Sequence, residues 1–100
     1  MKKFNMINTD GSVERVTSHE LAKRLVALKK EDKDGIVKIQ MKNTSSIWLG
    51  GSHTDYMVSI NCVTTHKKEI KIGRIDRNKV DLDDLTIPIM DAIEEKYWML

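Results

Sequence analysis

Cysteine and proline occur once each in these 100 residues, as Cys62 and Pro88, and phenylalanine only as Phe4. A lone cysteine excludes an intramolecular disulfide, and nothing in the sequence calls for an oxidising compartment. One proline and five glycines are too few for a linker or a low-complexity segment. No apolar run approaches the ~20 residues that a membrane-spanning helix requires. Lys2 and Lys3 are not followed by an apolar segment, so no secretory signal is expected. The chain reads as cytoplasmic, without a membrane partner. Neither C-x-x-C nor H-E-x-x-H occurs, and no cofactor or metal is expected.

What is present suits a single domain over residues 1–100. An apolar content of 40% and a charged content of 32% are those of a globular chain rather than a disordered one. The net charge of +2 is too small to demand a nucleic-acid partner, but its distribution is uneven. Lys67, Lys68, Lys71, Arg74, Arg77 and Lys79 form a basic stretch, and Asp81, Asp83, Asp84, Asp91, Glu94 and Glu95 follow without an intervening base.

Hydrophobic periodicity orders the elements as β-β-α-β-β-β-β-α. Residues 3–16 predict a hairpin, with Asp10-Gly11 as a two-residue turn because glycine accepts positive φ freely. Thr17-Ser18-His19-Glu20 has the spacing of a capping box. The helix it opens should run to about Glu31, with Leu21, Leu25 and Leu28 on one stripe. Val37, Ile39 and Met41 alternate with Lys38, Gln40 and Lys42, which predicts a strand with one wet face. Asn43 to Ser46 reads as a turn, and Ile47 to Leu49 as a short strand that Gly50-Gly51 bends or ends. Asp55 to Thr65 reads as a long central strand, pairing through its first half with 46–50 and through its second with 68–75. Thr65 to Lys68 reads as the next turn, and Gly73 shifts the apolar phase as a bulge does. A closing helix is expected from Thr86, with Leu85, Ile89, Ile93 and Tyr97 on its stripe. The fold class is therefore α+β, a mainly antiparallel sheet with helices packed on its apolar face.

Candidate chemistry concentrates around residues 47–62. Ser52, His53 and Asp55 contain the residue types of a catalytic triad, but they are sequence neighbours, and in a strand Ser52 points opposite to the other two. A triad needs converging side chains and an oxyanion hole, so no catalytic residue is assigned and the chain is read as a non-enzyme. Leu49-Gly50-Gly51 lacks the helix or lysine that normally completes a phosphate loop. The basic stretch could follow a nucleic-acid backbone, yet it contains no aromatic residue for stacking, so nucleic-acid binding is disfavoured. A protein interface fits better. Trp48 should point away from Ile47 and Leu49, and Trp98 should lie with Asp91, Glu94 and Glu95, off the apolar stripe of its helix. Tryptophans are enriched where proteins bind one another. The candidate contacts are Trp48 with the polar rim at His53 and Asp55, and the acidic face of Asp91, Glu94 and Glu95 with Trp98. Exposed edge strands also leave room for a homodimer.

In the order of its elements the chain resembles a large class of small cytosolic immunity proteins of bacterial polymorphic-toxin systems. The matching residues are Asp10-Gly11, Thr17-Ser18-His19-Glu20-Leu21, Leu49-Gly50-Gly51 and Tyr97-Trp98. The resemblance implies a non-enzymatic inhibitor that binds and blocks one cognate toxin. Small phage-encoded inhibitors of host defence proteins have a similar outline and are the alternative, as is a small nucleic-acid-binding module that uses the basic 67–79 stretch.

Overall fold

The computed structural model describes residues 3–42, 45–62 and 68–96, apart from the side chains of residues 62, 68–72 and 96. Its elements are strands β1 (Lys3–Ile7) and β2 (Val13–Thr17), helix α1 (Ser18–Glu31), strands β3 (Val37–Met41), β4 (Ser45–Gly51), β5 (Asp55–Cys62) and β6 (Lys68–Asp76), and helix α2 (Thr86–Lys96). A 3-10 turn at Leu82–Asp84 leads into α2. The expected β-β-α-β-β-β-β-α order and the α+β class are what the structure has. The strands form one antiparallel sheet in the order β2-β1-β3-β4-β5-β6.

Helix α1 starts where its capping chemistry dictates. Thr17 accepts a hydrogen bond from the Glu20 amide at 3.2 Å, and Glu20 accepts one from the Thr17 amide at 3.4 Å. Both satisfy backbone donors that a first helical turn leaves unpaired. Pro88 lies in the first turn of α2, where its missing amide costs no helical bond.

Leu21, Leu25 and Val26 of α1 and Ile89 and Ile93 of α2 are buried in one core with Leu85 and with Phe4, Val16, Ile39, Ile47, Leu49, Val58 and Ile60 of the sheet. The two helices contact one another, and Ser18 at the start of α1 donates to Glu94 of α2 at 2.6 Å. They cover one face of the sheet. The alternate side chains of the strands occupy the other face, on which no described helix packs.

Several local expectations need correction. The first hairpin does not close through a two-residue turn. Residues 8–12 form a wider connection, held by Asn8 N–H to Ser12 C=O at 2.8 Å and by Gly11 N–H to Asn8 C=O at 2.9 Å. Asp10 accepts from both the amide and the hydroxyl of Ser12, so its side chain favours this longer loop. Gly11 has φ +88°, which is why glycine stands there.

Ser45 and Ser46 belong to β4 rather than to a turn, and Gly50-Gly51 continue that strand. β5 pairs with β4 from Tyr56 to Cys62 and with β6 from Asp55 to Cys62, so it is not shared half and half between them. A full-length partner on each side satisfies every backbone group of a strand that lies inside a sheet. The phase change near Gly73 is a register break. Val58 faces Gly73 and Ser59 faces Lys71, which leaves Ile72 without an opposite residue. Residues 63–67, with the end of the expected long strand and most of the expected Thr65–Lys68 turn, lie outside the described residues, as do Asn43 and Thr44, while Lys68 already belongs to β6.

Candidate protein interface

The bare face of the sheet carries an apolar group that the strand pattern alone does not require. Trp48 projects opposite to Ile47 and Leu49 and is half-buried. A Cβ placed on Gly50 would lie 3.2 Å from Ile36 and 3.3 Å from the Trp48 ring, so both side chains lie over that glycine. Met57, half-buried, faces Gly50 across the β4–β5 ladder. Ile36 is 62% exposed, although its neighbour Val37 is buried. Beside this cluster lies Ser59, opposite Trp48 in the register and 0% exposed. A side chain on a face without a helix reaches full burial only when its neighbours lie over it. Its hydroxyl has no hydrogen-bond partner among the described residues.

The sheet has an opening next to this cluster. β1 and β3 pair only at Met6–Met41 and Ile7–Gln40, after which the turn at residues 8–12 carries the hairpin away. A groove of about 550 Å³ occupies the gap. Met6, Ile39, Ala27 and Leu28 supply apolar wall, and Lys38 and Gln40 line its other side. The Lys42 amide donates to Asn5 C=O at 3.0 Å. Backbone polarity alternates along an antiparallel strand, so Lys38 turns its own N–H and C=O toward the same side. At Lys38 no strand lies opposite, and those groups face the groove.

At the far wall of the groove Arg24 forms a two-pronged ion pair with Glu14, at 2.7 and 2.9 Å, and contacts Met6 Sδ at 3.4 Å. The Arg24 guanidinium, first by hydrogen bonding, holds the Glu14 carboxyl below its ordinary range, and Glu14 raises Arg24 in the same way. This pair fixes β2 to α1 and keeps the groove wall in place.

The expected site residues do not form one constellation. Trp48 is in the apolar cluster. His53 is exposed in the β4–β5 turn, and Asp55 is engaged by Arg74 at 3.0 Å. The Ser52 hydroxyl accepts from the amides of Thr54 and Asp55, at 3.4 and 3.2 Å, and so organises the turn. Among the described residues no three His, Cys, Asp or Glu side chains are placed to hold a metal. Asp91, Glu94 and Glu95 are exposed on α2, well separated in sequence from the strand cluster, with Glu94 tied to Ser18. Trp98 and Tyr97 lie outside the described residues.

Of the basic stretch, Arg74 is engaged by Asp55, and Arg77 lies with its guanidinium carbon 4.5 Å from the centre of the Tyr56 ring. Ile36 was not expected at the site. The available signal was its phase, because an isoleucine precedes Val37 at a position equivalent to the wet side chains Lys38 and Gln40.

No family model, curated protein or solved structure matches the chain. Among the described residues no helix is long and apolar enough to cross a membrane.

Proposed function

We propose that this chain is a non-enzymatic cytoplasmic protein that acts by binding and occluding another protein, in the manner of the immunity proteins it resembles. Phage-encoded inhibitors of host defence proteins would act by the same stoichiometric capture. One observation carries the reading. Ile36, Trp48 and Met57 converge on a sheet face that no described helix covers, beside the gap between β1 and β3.

An apolar cluster at the surface, exposed at Ile36 and half-buried at Trp48 and Met57, is typical of surfaces that bind partners when it holds a tryptophan. Lys38 adds backbone hydrogen-bonding groups on which an extended segment of the partner can pair as an extra strand. The Asp55–Arg74 pair and His53 supply a polar rim of the sort that surrounds such anchors. Asp91, Glu94 and Glu95 form a separate acidic face, which would steer a basic partner rather than anchor it.

Affinity capture with Ile36→Asp and Trp48→Ala variants tests this. A partner retained by the wild-type protein should be lost by both, with dissociation constants raised at least ~30-fold, since central interface anchors are worth about 2 kcal/mol or more each. Circular dichroism would verify that the variants are folded. Equal retention by folded variants would overturn the assignment of this face. If the only chain captured were a second copy of this protein, the face would be a dimer contact instead.

A further inference from the structure

We propose that a second cleft, on the helix-covered side at the end of the sheet, binds the phosphate group of a small molecule. This inference does not depend on the protein-binding reading. The cleft measures about 270 Å³ and is lined by Lys29, Lys33, Tyr56, Arg77 and Leu82. Three of these five side chains are cationic, and none is acidic.

The residues reach it from distant parts of the chain. Lys29 belongs to the last turn of α1, is 2% exposed, and donates to Gly35 C=O at 2.5 Å. The carbonyl end of a helix attracts a cation, and this accounts for Lys29 alone. Lys33 lies beyond the end of α1. Arg77 comes from the opposite side, just past the end of β6, with its amide bonded to Thr54 C=O at 2.9 Å.

The Arg77 guanidinium is placed rather than free. It lies over the Tyr56 ring and crosses Gly51, where any Cβ would come within 2.7 Å of Nη2. Its Nε is buried without a hydrogen-bond partner among the described residues. A buried donor left unpaired is costly, more so in a charged group, so the guanidinium is held here by its packing on Tyr56 and Gly51.

Of the acids nearest in sequence, Asp55 pairs with Arg74 and Asp83 with Lys30, Asp32 accepts from the Gly35 amide and Asp76 from the Asn78 amide. Glu31, Asp34, Asp81 and Asp84 are neighbours in sequence but do not line the cleft, so the charges on its wall are all positive. A phosphate dianion answers them better than a singly charged carboxylate, and the guanidinium fork matches phosphate oxygens. A single local group of cations suits a small molecule better than a polynucleotide, which would need a succession of such cations along a surface.

Inorganic phosphate is the probe. Titrated at constant ionic strength into the 15N-labelled protein, it should produce saturable amide shifts at residues 52–56 and 77. Arg77→Gln should weaken binding by at least roughly tenfold, the loss expected for a charge-assisted hydrogen bond. Lys33→Gln, on an exposed side chain, should weaken it several-fold, and Arg15→Gln on β2 should leave it unchanged. Shifts that stay linear in phosphate, or an unaltered curve in the Arg77 variant, would overturn the proposal. Should Arg77→Gln fail to fold, the exposed Lys33 variant decides, and an unaltered curve there overturns it equally.

Discussion

The two faces of this sheet are made from the same strands and obey opposite rules. On the covered face, Val16, Ile39, Ile47, Leu49, Val58 and Ile60 meet Leu21, Leu25, Leu85, Ile89 and Ile93, and apolar identity follows from burial. On the bare face Lys38 and Gln40 stand where water is expected, yet Ile36, Trp48 and Met57 stand among them. Burial on folding explains the first set. It does not fully explain the second, whose exposed Ile36 gains little from folding and points outward to another surface.

Paired substitutions sharpen that contrast. Ile47→Ala, which opens a cavity in the core, should cost about 2–5 kcal/mol in urea unfolding. Ile36→Ala on the opposite face should change stability by no more than about 0.5 kcal/mol. A loss at Ile36 comparable to that at Ile47 would make it a core residue and remove the reason for assigning it to an interface.

A smaller effect of opposite sign is expected at Ser59. Its hydroxyl is buried without a partner among the described residues, so Ser59→Ala should leave stability unchanged or raise it by up to about 1 kcal/mol. Destabilisation by more than that in the same unfolding experiment would mean that the hydroxyl is satisfied in solution.

The smallest effect should appear at the groove wall, as a pH dependence. Glu14 has its folded-state pKa lowered by Arg24. Its contribution is therefore fully present above the unfolded-state value and is lost as pH falls through the lowered folded value. Stability should decline on acidification below about pH 4, and Glu14→Gln should flatten that limb. Both side chains are well exposed, so the change is modest. An unflattened limb would show that other carboxylates dominate. Asp10, lowered first by the Ser12 hydroxyl, has the same sign.

Much of the covered face could be read in advance from local pattern. Val37, Ile39 and Met41 alternate, Leu85, Ile89 and Ile93 recur at helical spacing, and Thr17 and Glu20 sit at capping distance. These signals lie within a few residues of one another. The functional surfaces do not. Ile36 reaches Trp48 only because β3 and β4 pair with Val37 opposite Leu49, and Arg77 reaches Lys29 only through the fold of the whole chain. Gly50-Gly51 were misleading because glycine signals a strand's end and a close approach equally well. Here they mark close approach, beneath Ile36 and Trp48 at one position and beneath Arg77 at the other.

The two rungs between β1 and β3 divide the molecule along a seam. On one side, the first hairpin and α1 fold from contacts close in sequence; on the other, β3 to β6 form a continuous meander. Sequence-local contacts of this kind assemble quickly, and what joins the halves afterwards is chiefly the helix layer and its core. The cooperativity of the domain is thus concentrated in α1, which touches both halves. Weakening that helix should therefore loosen the join between hairpin and meander.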